Sequence, residues 1–214
     1  GRADKVAPAA KSGDSPEKTA PQPEAKTEVP TEEKIPPKEN IEDLKKELSS
    51  YIGLSAVKAE VENLINMATV YGMRREHGLP TADMSLHMVF SGNPGTGKTM
   101  IARFMARVYH SLGILSKGQL IEVDRSGLVA GYVGQTAIKT SKVLERAKGG
   151  VLFIDEAYTL TSKEGNDFGY EAVDTVLKAM EDNREDLVVI VAGYIDRMET
   201  FIDSNPGLQS RFNK

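Results

Sequence analysis

The stretch GNPGTGKT, Gly92–Thr99, fits the spacing G-x-x-x-x-G-K-[ST] at every fixed position. An apolar run, HMVFS (His87–Ser91), precedes it, and apolar residues at helical spacing follow from Lys98 to about Leu112. Glycines let the backbone curl until successive N–H groups point inward, and the helix start adds partial positive charge. Together they form a cradle for phosphate oxygens. Asn93, Pro94, Gly95, Thr96, Gly97, Lys98, Thr99 and Met100 are therefore the candidate nucleotide-binding residues. Lys98 would reach the β- and γ-phosphates, and the Thr99 hydroxyl would hold Mg²⁺. A glycine-rich turn beside a surface lysine shows the same letters, but the strand before and the helix after argue against it.

A second stretch, GGVLFIDEAY (Gly149–Tyr158), ends an apolar run in two adjacent carboxylates, Asp155 and Glu156. Burying one acid is costly, and two neighbours repel. A nucleoside triphosphate with Mg²⁺ accounts for both: Asp155 would hold the metal, and Glu156 would orient or activate the attacking water.

Outward from these two stretches, strands alternate with helices. QLIEVD (Gln119–Asp124) and DLVVIVAG (Asp186–Gly193) read as further strands. Helices are expected from about Gln135 to Ala147, Tyr170 to Asp182 and Arg197 to Asp203, and upstream from Asn40 as a cap and from Ser55 to about Gly78. This alternation predicts an α/β fold, a three-layer α-β-α sandwich around a parallel sheet, with ligands outside the carboxyl ends of the strands. QLIEVD lies in sequence between the cradle strand and the Asp155 strand. With a glutamate directly after the metal-binding aspartate, that points to the P-loop NTPase branch with an extra strand inserted between the two.

Residues 1–39 differ in kind. Seven of the chain's ten prolines lie there, and the first aromatic is Tyr51. Such a segment buries too little apolar surface to offset its ordering entropy and is expected to be a disordered linker or tail. The remainder, 40–214, has the composition of one packed domain. No run of about 18 apolar residues exists, so no membrane insertion is expected. The absence of cysteine excludes disulfides and thiolate metal sites and fits a cytoplasmic protein. A formal net charge of -4 gives no reason to expect nucleic acid.

In VAGYVGQT (Val129–Thr136), Tyr132 and Val133 stand between two glycines. An aromatic in a loop often caps the core; the flanking glycines argue instead for a protruding loop. Near the end of the chain, Arg211 precedes an aromatic in NPGLQSRFNK. It is either a solubilising charge or an arginine delivered to a neighbouring subunit's γ-phosphate. His77, His87 and His110 lack metal-ligand spacing and read as structural.

GNPGTGKT, LFIDEAY, GYVGQT, VAGY and NPGLQSRF, in this order, resemble the AAA+ ATPases, and more narrowly their CbxX/CfqX-like group, over about Leu48 to Phe212. That group includes ATPases of sporulation, red-type Rubisco activation and type VII secretion, and the phrasing tilts toward the sporulation member. The resemblance implies an Mg-dependent ATPase that assembles as a ring, typically a hexamer, and threads a client polypeptide through its pore. Tyr132 and Val133 match the pore loop, Arg211 the arginine finger, and Ile52 and Gly53 the segment lining the adenine pocket. Many relatives place a small polar residue at the end of the fourth strand to orient the water. Here Gly193 or Tyr194 takes that place, with Tyr194 as the nominal sensor. A fifth strand and a helical lid would begin where this chain stops, so the resemblance covers the large subdomain only.

Two other readings stay open: a nucleotide-dependent interaction switch without processive remodelling, and a DNA-directed member such as a helicase loader. The acidic balance counts against the latter.

Overall fold

The computed structural model describes residues 35–51, 55–80, 85–132, 134–162 and 168–212. All belong to one compact unit, Ile35–Lys214. Its elements in chain order are α1 (Ile41–Ser50), α2 (Ser55–Glu76), β1 (Met88–Ser91), α3 (Lys98–Ser111), β2 (Leu120–Val123), α4 (Arg125–Leu128) and α5 (Gln135–Ala147). They continue with β3 (Val151–Ile154), a 3-10 helix (Ala157–Thr161), α6 (Phe168–Asp182), β4 (Val188–Gly193), α7 (Ile195–Asp203) and α8 (Pro206–Arg211).

Packed structure starts earlier than the composition change suggests. Order was expected from Asn40, but Glu39 is already tied to α3. Its carboxylate accepts from Arg107 Nε and Nη2 at 2.8 and 2.6 Å, and its N–H donates to Ser111 Oγ at 2.9 Å. The Arg107 fork also grips Glu47 of α1, at 2.8 and 2.7 Å, so one guanidinium clamps α1 and the segment before it onto α3. Residues 1–34 lie outside the described residues. Asn40 caps α1 as expected, its Oδ1 accepting from Glu42 N–H at 2.8 Å.

The four strands are parallel, in the order β1-β4-β3-β2. An inserted strand does separate the cradle strand from the Asp155 strand, but it is β4, whereas β2 (within QLIEVD) goes to the edge. The sheet carries helices on both faces. Alternate residues of β3 and β4 point to opposite cores: Leu152, Ile154, Val189 and Val191 meet α5, α6 and α7, whereas Val151, Phe153, Val188, Ile190 and Ala192 meet α1, α2 and α3. All ten positions of these two strands are buried, which is why each reads as a continuous apolar run rather than an alternating one. Each large side chain withdrawn from water here contributes about 1.5–3 kcal/mol. Three short elements were not anticipated: α4, α8 and the 3-10 helix. They are too brief to show an apolar period.

Candidate nucleotide site at the carboxyl edge of the sheet

Between β1 and α3 the glycine-rich loop turns back on itself. Gly95 and Gly97 have φ of 74° and 82°, conformations that strain any residue with a β-carbon. Gly92 N–H donates to Gly193 O at 3.0 Å, anchoring the loop to β4. Thr96 Oγ1 donates to Asn93 O at 2.9 Å and closes the turn. Lys98 folds back over the loop, its Nζ donating to the carbonyls of Gly92 and Asn93 at 3.0 and 2.8 Å. The first turn of α3 presents Thr99, whose hydroxyl donates to Glu122 Oε1 at 3.3 Å, and Met100, 41% exposed.

The acid pair sits just past the last buried position of β3. Asp155 N–H donates to Val123 O at 2.8 Å, which extends the ladder by one rung and stops the strand there. Asp155 is half-buried and Glu156 exposed, so neither carboxylate bears the full cost of burial. Glu156 has φ 47° and ψ 42°, and among the described residues no other non-glycine has a positive φ. Such a conformation costs roughly 1–3 kcal/mol and persists only where its surroundings impose it. Three hydrogen bonds do so: Glu156 N–H to Asp155 Oδ1 at 3.0 Å, and Thr159 N–H and Oγ1 to Glu156 O at 2.9 and 2.7 Å.

A cavity of about 360 Å³ joins these parts. Gly92, Pro94, Gly95, Gly97, Lys98, Thr99 and Met100 line one side, and Asp155, Glu156, Gly193 and Tyr194 the other. Thr96 instead faces an adjoining, more apolar groove of about 630 Å³, walled by Val57, Val61, Leu64 and Met67 of α2 and by β1. The two share Gly92 and Lys98, so a less apolar cavity and a more apolar groove meet at the loop. Ile52, Gly53 and Val133 lie outside the described residues. The Thr99 hydroxyl and the Asp155 carboxylate are hard oxygen donors that suit a small divalent cation completed by phosphate oxygens and water. Among the described residues, no cluster of three or more His, Cys, Asp or Glu could hold a metal by itself.

At the end of β4, Gly193 has no room for a side chain. A β-carbon there would meet Met198 Sδ and the Tyr158 ring, each at 2.7 Å. Tyr194, expected as the nominal sensor, reaches the cavity wall as an aromatic and not as a small polar group. Arg197 lies over both tyrosines, its guanidinium 5.0 Å from the Tyr158 ring centre and 5.7 Å from that of Tyr194. Burial pushes the Tyr158 hydroxyl above its usual range, and the charge of Glu156 adds to the shift.

Two expected site residues stand apart from the cavity. Tyr132 is 73% exposed in the loop between α4 and α5, so it protrudes and does not cap the core. Arg211 ends α8 near the start of β1, where its carbonyl accepts from Ser85 Oγ. Its guanidinium is 3.4 Å from Glu181 Oε2 and from Gly207 O, and its buried Nε has no hydrogen-bond partner among the described residues. Sequence reasoning passed over Glu122, Tyr158 and Arg197. Glu122 left one legible signal, a single charge inside an apolar strand.

The family model described as "ATPase family associated with various cellular activities (AAA)" matches residues 88–214. The chain is 51% identical over 175 residues to Protein CbbX of Cereibacter sphaeroides, covering 81% of this chain and 56% of that protein. It is 48% identical over 174 residues to the chloroplastic ribulose bisphosphate carboxylase/oxygenase activase of Cyanidioschyzon merolae, covering 81% and 58%. To Stage V sporulation protein K of Bacillus subtilis it is 44% identical over 172 residues, covering 80% and 53%. Sporulation therefore enters through one relative among several, and identity does not favour it. The chain spans about half the length of the curated relatives it matches. Among solved structures, the FIGL-1 AAA domain in complex with ADP aligns at a TM-score of 0.52 and 20% identity, covering 83% of this chain and 61% of that one, a likeness of fold. A parallel sheet in the order β1-β4-β3-β2, a glycine-rich loop opening α3 and an acid pair at the tip of β3 agree with these matches, and the chain belongs to the AAA ATPase family.

Proposed function

We propose that this chain is the nucleotide-binding and hydrolysing module of a protein-remodelling motor that works as a ring. The observation that carries the reading is the convergence of Lys98, Thr99, Asp155 and Glu156 on one cavity at the carboxyl edge of the sheet. Lys98 would exchange the carbonyls of Gly92 and Asn93 for β- and γ-phosphate oxygens, a charge-assisted replacement for neutral contacts. Thr99 and Asp155 would hold Mg²⁺, which supplies charge neutralisation on the phosphates when bound. Glu156, held in its left-handed backbone conformation, would accept a hydrogen bond from the attacking water and orient it toward the γ-phosphorus.

Arg211 would act in trans on a neighbouring subunit's nucleotide. To do so it must leave Glu181, a contact long enough to be given up readily. Tyr132 would meet a client polypeptide, as its exposure allows. The client is a protein segment; no helix among the described residues is long and apolar enough to cross a membrane. Rubisco, a sporulation factor or another protein could each be that client.

The test is Mg-ATP hydrolysis across a wide range of protein concentration, with Glu156→Gln as the blank. Specific activity that rises with concentration and vanishes in the variant supports a site completed between subunits. Activity that is flat with concentration favours a self-contained switch, and activity that survives Glu156→Gln overturns the role given to Glu156.

A further inference from the structure

Arg125 opens α4, four residues before the loop that carries Tyr132. Its side chain does not point along that loop. It crosses to the 3-10 helix, where Nη1 donates to Thr159 O at 2.6 Å. Thr159 in turn donates twice to Glu156 O. Glu156 and α4 are thus linked through two carbonyls and three hydrogen bonds, although Arg125 and Thr159 are separated by 34 positions in sequence.

Both ends of this link are firmly held. At one end it supports the strained, left-handed residue that the functional reading assigns to water orientation. At the other, the stem of the Tyr132 loop is fastened to α5. Lys139 Nζ donates to the carbonyls of Ser126 and Val129 at 2.5 and 3.0 Å, Thr140 Oγ1 to Leu128 O at 3.1 Å, and Ala130 N–H to Thr136 Oγ1 at 3.0 Å. The packing also leaves a defined place for the guanidinium. Gly169, at the start of α6, has no β-carbon; one added there would lie 2.7 Å from Arg125 Nη1 and 1.9 Å from Leu160 O. Arg125 is half-buried, so its donor is not merely exchanged with water.

We propose that Arg125 is a positioning residue that holds the Glu156 turn in its left-handed conformation and couples that turn to the loop carrying Tyr132. The inference rests on the reading of Glu156 and Tyr132 given above. When the attacking water held before a γ-phosphate engages the Glu156 carboxylate, the turn shifts, Thr159 moves with it, and Arg125 passes that displacement to α4 and the loop stem. Without Arg125, nucleotide still binds at Lys98, but its state is not transmitted.

The chain has no tryptophan, so Tyr132→Trp installs a sole indole emitter on the loop. In that background, indole emission is compared between protein saturated with Mg-ADP and with Mg-ATPγS, and occupancy is read separately from a fluorescent ATP analogue. The expected result is a nucleotide-dependent change that Arg125→Gln reduces by about fivefold or more at equal occupancy. Arg125→Lys, which keeps a donor for the Thr159 carbonyl, should recover part of it. Thr159→Val, which keeps the shape and removes one of the two bonds to Glu156, should weaken the change without unfolding the protein. A full response in Arg125→Gln at equal occupancy overturns the inference, as does a parent that binds both nucleotides with no change in emission. A parent that binds neither nucleotide overturns the functional reading itself, and the inference with it.

Discussion

The ring of Tyr158 occupies the space that a side chain on Gly193 would need, 2.7 Å from the position of its β-carbon. The end of β4 borders the cavity of the glycine-rich loop, and Tyr158, just past the Asp155–Glu156 pair, fills the space beside it. Placing a small polar residue there should therefore damage packing and not improve water placement. Gly193→Asn is expected to lower stability by about 1–3 kcal/mol through overpacking. For a chain of this size that is a fall in Tm of about 2–4 °C per kcal/mol. Thermal unfolding followed by circular dichroism checks it, and an unchanged Tm would show that the Tyr158 ring yields freely.

His87 is half-buried just before β1, with Nδ1 accepting from Val189 N–H at 2.9 Å. Burial first, and the charge of Arg211 second, lower its pKa from 6.5 to about 4. The unfolded chain therefore binds this proton more readily than the folded one. The stability it contributes is fully present above pH 6.5 and is lost as pH falls toward 4, by an amount on the order of 2–4 kcal/mol. Urea unfolding at pH 7 and pH 5 should show the drop. His87→Asn, which keeps an acceptor for Val189, should flatten it.

Glu39 and Glu47 both have their carboxyls held below the usual range, chiefly by hydrogen bonds from Arg107. Folded values below the unfolded ones mean that the clamp stabilises above about pH 4.5 and is lost as pH falls through the depressed values. All three side chains are about a third exposed or more, so screening limits the gain. Arg107→Met should cost about 1 kcal/mol at neutral pH and physiological salt. It should also remove most of the acid-limb difference from the parent between pH 5 and 3. Chemical denaturation across that range is the measurement.

Arg211→Ala tests the role in trans. If Arg211 reaches a neighbour's nucleotide, turnover at high protein concentration should fall by about 10³-fold or more, with ATP affinity within about twofold of the parent. Because Arg211 also packs beside Glu181 and His87, unfolding of the variant is measured in parallel. Equal turnover in a folded variant would make Arg211 a brace for α8 and nothing more.

Read alone, the sequence marked out the glycine-rich loop, the acid pair and the alternation of strands with helices. Each is local: Gly92–Thr99 are eight consecutive residues, Asp155 and Glu156 are adjacent, and the burial of β3 and β4 shows as unbroken apolar runs. Local spacing encodes local backbone geometry, so these features are legible without partners. Only the tertiary structure decided that β4 and not β2 separates β1 from β3, because strand order depends on which faces and edges find each other, not on period. The same holds for Tyr158 against Gly193, Arg107 between Glu39 and Glu47, and Arg125 on Thr159. In each of these a side chain meets backbone or charge tens of residues away, and its role is set by where folding brings that distant atom.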